Sequence, residues 1–280
     1  MSEDAAKTEV ELVASPYDLR VSLGEHVNES RTATVLQSGD LGFVHSFTTG
    51  SAVDGPGVRV VVWLTGCQFR CVFCHNPDTW KLNNGIPVPL ARAVEEVRKY
   101  RHGLRTMKGG LTVSGGEPLL QKPFLIRLFT AVKETGIHTT LDTNGYFGDR
   151  LSDADLQACD LVMLGLKALD PDLHRRITGM DNAPVLAFAR RLAALRRPMW
   201  LRYVLVPGLS DDRGELKRIA EFAAGLGNVE QVELLPFHQL GRFKWERLGM
   251  TYTQQDTHPP SDEQVEAAIS VFRSAGLAVH

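Results

Sequence analysis

Cysteine is scarce in this chain. Of four in 280 residues, three stand at positions 67, 71 and 74 and Cys159 is alone, which is no framework for a disulfide-stapled secreted domain. No stretch approaches the roughly 18 to 20 apolar residues of a membrane-spanning helix. The first residues are acidic, with no basic segment leading into an apolar core, so they do not read as a signal peptide. Neither sign of charge dominates. Lys and Arg total 31 against 33 Asp and Glu, and the formal net charge of −2 gives no electrostatic case for nucleic acid or an anionic membrane. Internal repeats and low-complexity tracts are missing too. With 43% apolar and 23% charged residues, the chain has the makings of an ordinary globular core. The expectation is a cytoplasmic monomer with reduced thiols.

Residues 1–41 are rich in Ser, Glu and Asp with no sustained period, and read as a flexible N-terminal extension with one short strand around Leu19–Leu23. From Gly42 the pattern changes. Strands are expected at Val58–Leu64, Gly110–Val113, His138–Leu141, Leu161–Leu166, Trp200–Val206 and Val229–Leu235. Helices are expected near Leu90–Tyr100, Lys122–Thr135, Asp153–Ala158, Val185–Leu195, Gly214–Ala224 and Asp262–Ala275. This alternation implies βαβ units, an α/β fold, and an incomplete (β/α)6 barrel of parallel strands over residues 42–280.

In such folds the chemistry gathers at the carboxyl ends of the strands, and the motifs fall there. Cys67-Gln-Phe-Arg-Cys71-Val-Phe-Cys74-His75 follows the first expected strand. Ser114-Gly115-Gly116-Glu117-Pro118 follows the second and Asp142-Thr143-Asn144-Gly145 the third, while Lys167 ends the fourth. Three thiolates on one short loop suit zinc, haem attachment or an iron–sulfur cluster. Zinc would need His75 as fourth ligand, although adjacent Cys74 and His75 side chains diverge in extended backbone. Cys71-Val-Phe-Cys74-His75 is formally a haem-attachment pattern, but leaves Cys67 without a role. Alone, the Gly pair and the Asp-Thr-Asn-Gly segment are good turn sequences, and Cys159 reads as a small packed hydrophobe.

Taken together, the C-x3-C-x2-C loop and Gly-Gly-Glu-Pro after the next strand resemble the radical S-adenosylmethionine superfamily. Further stretches are similar to its activases of glycyl-radical enzymes: His45-Ser-Phe, Val53-Asp-Gly-Pro-Gly-Val-Arg59, Cys74-His-Asn-Pro-Asp-Thr-Trp80, Arg202-Tyr-Val-Leu-Val-Pro-Gly208 and Glu233-Leu-Leu-Pro-Phe-His-Gln-Leu-Gly241. The resemblance covers residues 42–280. It implies an enzyme in which Cys67, Cys71 and Cys74 hold a [4Fe-4S] cluster and S-adenosylmethionine binds beside it. Reductive cleavage of that cofactor would yield a 5′-deoxyadenosyl radical that takes hydrogen from a backbone glycine of a partner, pyruvate formate-lyase or a related lyase. Reduced flavodoxin or ferredoxin is the implied electron donor. The resemblance further implies that Phe73, Cys74, His75, Gly115, Gly116, Glu117, Gly165, Lys167, Arg202 and His238 bind the cofactor, and that Asp54 and Gly55 meet the incoming glycine. Asp142, Thr143 and the Met163 carbonyl match a monovalent cation site. The relatives usually carry an aspartate where this sequence has Gly165, which implies a weaker cation site here.

Overall fold

Strand β6, Leu161–Gly165, is buried at all five positions, as expected of a parallel strand covered on both faces. It lies inside an eight-stranded sheet with β1 Leu41–Ser51, β2 Arg59–Leu64, β3 Ile86–Pro89, β4 Gly110–Gly115, β5 His138–Thr143, β7 Met199–Leu205 and β8 Val229–Pro236. A computed structural model provides these coordinates and describes residues 36–280. The sheet order is β3-β1-β2-β4-β5-β6-β7-β8. The six strands from β2 to β8, leaving out β3, pair in parallel. The sheet is open, with β3 and β8 at its edges, so the expected incomplete (β/α)6 barrel is the fold.

Between the strands run α1 Leu90–Arg98, α2 Arg101–Thr106, α3 Lys122–Lys133, α4 Asp153–Gln157, α5 Pro171–Thr178, α6 Ala183–Ala194, α7 Arg213–Leu226, α8 Arg242–Arg247 and α9 Asp262–Ser274. Their apolar faces supply Val97, Leu128, Phe129, Phe188, Ile219 and Phe272 to one continuous core against the sheet. Ser152 and Ser261 start α4 and α9 with capping boxes, each closed by the third helical residue, Asp155 and Gln264. Every expected strand and helix within 42–280 is present, with ends within two residues of expectation.

Two strands and three helices were not expected. β1 pairs antiparallel with β2 through two register shifts, and its mixture of polar and apolar residues hides the strand period. β3 carries two prolines, which only an edge strand tolerates. The α5 signal was present in the sequence: Asp170 caps it by accepting from the Leu173 amide, Pro171 opens it, and left-handed Gly179 closes it. The expected strand at Leu19–Leu23 lies outside the described residues. The division expected after residue 41 runs through a packed stretch. Arg127 pairs with Asp40 at 2.5 Å, the Leu90 amide donates to the Asp40 carbonyl, and a Cβ on Gly39 would lie 2.6 Å from the Pro123 carbonyl carbon.

Candidate active site

Past Leu64 the chain leaves β2, and its backbone groups need new partners. The fully buried Gln121 amide supplies several: it accepts from the Phe43 amide at 2.7 Å and donates to the Phe43 and Thr65 carbonyls. The Gly66 and Cys67 amides then donate to Thr79 and Trp80, while Arg70 and Val72 donate to the carbonyls of Thr178 and Ile177 at the end of α5. Phe69 is buried edge-on against Tyr146 and His174. The cysteine loop is thereby tied to β1, to its own return and to α5. Cys67, Cys71 and Cys74 line a cleft of about 200 Å³, walled also by Phe73, His75, Trp80, Ser114, Asp142, Thr143, Gly165 and Lys167. Burial pushes all three thiols above their ordinary range, Cys74 to about 12. Binding as thiolates therefore calls for positive charge brought by a metal.

The expected roles of Gly115, Gly116 and Glu117 separate here. Both glycines line the cleft, and they also let two chain segments meet. A Cβ on Gly115 would stand 2.1 Å from the Leu64 carbonyl oxygen, and one on Gly116 would stand 2.2 Å from that of Gly66. Glu117 does not reach the cleft wall. Its fully buried carboxylate accepts from the Leu119 amide at 3.0 Å, the Thr143 hydroxyl at 2.7 Å and the Asn144 amide at 2.8 Å. Burial raises its pKa to about 7 against those three donors. Glu117 thus bolts the loop after β4 to the loop after β5.

Arg202 also stands behind the wall. It pairs with Asp142 at 3.0 Å and Glu233 at 2.7 Å and donates to the Val53 carbonyl at 3.3 Å. Burial opposes its charge, but Asp142, Glu233 and Asp54 outweigh that effect and hold its pKa above the ordinary value. Asp54 is buried nearby, accepts from the Ser51 hydroxyl at 2.6 Å, and has its pKa raised chiefly by burial. His238 stacks on His75 with ring centroids 4.0 Å apart, and its carbonyl meets His75 Nε2 at 2.9 Å. Burial and this neighbour lower the His75 pKa. A Cβ on Gly165 would come 3.3 Å from Lys167 Nζ, so the ammonium occupies the space over that glycine. The Met163 backbone lies within β6. Of the wall residues, Phe69, Thr79, Trp80, Ser114, Asn144 and Val204 carried no expected role. Ser114, Asn144 and Val204 all lay inside stretches already singled out, Val204 within Arg202-Tyr-Val-Leu-Val-Pro-Gly208.

Three cysteines of one short loop share the cleft, a thiolate set that suits an iron–sulfur cluster whose irons each take one thiolate. Comparison with known proteins agrees. The sequence profile of the radical SAM superfamily matches residues 61–223. The chain belongs to the radical SAM superfamily. It is 44% identical to the pyruvate formate-lyase-activating enzyme of Staphylococcus epidermidis over 234 residues, which is 81% of this chain and 93% of that one. The counterpart from Staphylococcus aureus (strain USA300) is 45% identical over the same shares. Among solved structures, a domain of pyruvate-formate lyase-activating enzyme from Bacteroides vulgatus superposes with a TM-score of 0.51 at 28% identity, over 61% of this chain and 98% of that one. A radical SAM methyltransferase from Sphaerobacter thermophilus gives 0.59 at 19% identity over 91% and 81%, a likeness of fold. Radical SAM membership implies a [4Fe-4S] cluster and S-adenosylmethionine as cofactors.

Proposed function

We propose that this chain is a glycyl-radical enzyme activase with pyruvate formate-lyase as its protein substrate, and that it works as a cytoplasmic monomer reduced by flavodoxin or ferredoxin. The observation that carries the reading is one cleft shared by Cys67, Cys71 and Cys74 with Gly115, Gly116 and Lys167. The relatives' name supports the choice of lyase. Cys67, Cys71 and Cys74 would hold the cluster and leave one iron open to S-adenosylmethionine. When bound, these groups supply one electron to the sulfonium and a 5′-deoxyadenosyl radical that takes a hydrogen atom from glycine Cα.

The residues of the chain bind, orient and exclude water. Lys167 offers an ammonium to the cofactor carboxylate, Phe73 an apolar face to its adenine, and His75 and His238 a stacked wall. Gly115 and Gly116 offer backbone to its amino end, with Glu117 holding that backbone in place. Asp54 and Gly55 receive the target glycine, and their loop is pinned by the Thr112 hydroxyl, which donates to the Asp54 carbonyl at 2.6 Å. A monovalent cation at Asp142, Thr143 and the Met163 carbonyl would have to share Asp142 with Ser114 and Arg202, and Thr143 with Glu117.

Protein purified without oxygen should be brown and carry about four iron and four sulfide. Reduced and mixed with S-adenosylmethionine and pyruvate formate-lyase, it should generate a glycyl radical seen by electron paramagnetic resonance. Colourless protein containing zinc sinks the whole reading. A brown protein that cleaves S-adenosylmethionine but activates only another lyase corrects the partner alone.

A further inference from the structure

Asn144 is nine-tenths buried beside the cysteine loop, and the function above gives it no task. Its orientation is fixed. Oδ1 accepts from the Tyr146 amide at 3.0 Å, and a backbone N–H can only donate, so the oxygen cannot trade places with Nδ2. Gln68 Nε2 donates to the same oxygen at 3.0 Å. Glu117 holds the Asn144 amide. With the oxygen anchored, Nδ2 donates to Cys67 Sγ at 3.9 Å. Cys74 also receives a side-chain hydrogen bond, from Trp80, while Cys71 sees the charge of Lys167.

We propose that Asn144 is a positioning residue that sets the reduction potential of the cluster through the Cys67 sulfur. Reduction adds one electron, and part of its density falls on the thiolate sulfurs, so an N–H aimed at sulfur favours the reduced state and raises the potential. Because Glu117 links this asparagine to the Gly115-Gly116 segment of the cleft wall, the donor is fixed by the same bolt that shapes the cofactor cleft.

The inference rests on the cluster reading, and its test separates the two. Wild-type, Asn144→Ala and Gln68→Ala proteins are reconstituted, their iron content measured, and their clusters titrated with dithionite under electron paramagnetic resonance. A wild type without a four-iron signal defeats the proposed function itself. With a loaded wild type, Asn144→Ala should lower the reduced-to-oxidised ratio at fixed potential about tenfold, a shift of about 59 mV to the negative for one electron. Gln68→Ala frees the Asn144 amide without deleting it, and should shift the potential the same way by less. Loaded variants with unchanged potentials overturn the inference. So does failure of both variants to hold cluster at normal thermal stability, since Asn144 would then serve assembly and not potential.

Discussion

The two ends of β2 place strong polar groups in opposite states. At its amino end Arg59 is fully buried and faces the floor of the barrel. Its guanidinium donates to the Leu111 carbonyl at 2.6 Å, the Thr140 hydroxyl at 2.8 Å, the Thr112 hydroxyl at 3.0 Å and the Pro56 carbonyl at 3.1 Å. Among the described residues no carboxylate forms an ion pair with it, and burial lowers its pKa to about 10, so it stays charged near neutrality. Gly110 makes the room, since a Cβ there would lie 2.7 Å from Nη1. At the carboxyl end Cys67, Cys71 and Cys74 line a cleft, where Asn144 donates to the Cys67 sulfur at 3.9 Å and Trp80 to that of Cys74. One end spends its polar groups on holding the fold; the other keeps them available for a ligand. Chemistry belongs where bonding capacity is left open.

The largest expected effect breaks the open end. Cys67→Ala, Cys71→Ala or Cys74→Ala should each abolish cluster assembly, because three thiolates have no spare. Cys159→Ala should keep the iron, since that residue sits in the core with its thiol donating to the Leu161 carbonyl. Iron analysis of the four purified variants decides, and iron loss confined to Cys159→Ala would reverse the assignment.

Next comes the closed end. Arg59→Met removes the donor from a buried carbonyl, a half-buried one and two hydroxyls, and should cost about 3 kcal/mol in urea unfolding. The loop carrying Asp54 loses a support, so glycyl-radical yield should fall more steeply than iron content. Stability within about 0.5 kcal/mol of wild type would mean that the four acceptors find other partners and that the floor is not held by Arg59.

The same contrast explains what was legible in the sequence. Motifs at the open end announce themselves because three cysteines at short spacing have few bland uses. Parallel strands such as β6 show as continuous apolar runs, and helices such as α9 show by period and cap. Arg59 was invisible as a structural residue because an arginine opening a strand reads as exposed, and only the assembled sheet brings Thr112, Thr140 and Leu111 around it. Glu117 was legible by position but not by role. Its motif suggested a hand held out to ligand, while its partners Thr143 and Asn144 lie 26 and 27 residues onward in another loop.

A smaller effect tests where the packed body begins. Deleting 1–35 should leave iron content and S-adenosylmethionine cleavage unchanged. Extending the deletion through residue 41 removes the exposed Asp40–Arg127 pair, a small contribution at a solvent-screened surface, and with it the seat of Gly39 on Pro123. A melting temperature lower by a few degrees is expected from the longer deletion alone. Equal melting of the two truncated proteins would put the boundary back at 41.

The smallest effect lies in the cleft, at Gly165→Asp. Gly165 does not occupy the left-handed region, so a side chain is allowed, and its Cβ would meet Lys167 Nζ at 3.3 Å and the Thr143 carbonyl at 3.6 Å. Two outcomes compete. If Asp142, Thr143 and Met163 hold a monovalent cation, a second carboxylate should strengthen it, tighten cofactor binding and make activity depend on potassium. The neighbours argue otherwise. Asp142 is already matched by Arg202, and the new carboxylate would sit against Lys167, drawing that ammonium away from the cofactor. Cofactor binding should therefore weaken by less than tenfold, under about 1.4 kcal/mol, with no potassium dependence. Binding of S-adenosylmethionine measured across a potassium series separates the two, and tighter binding that follows potassium would restore the cation site that Arg202 and Lys167 otherwise make redundant.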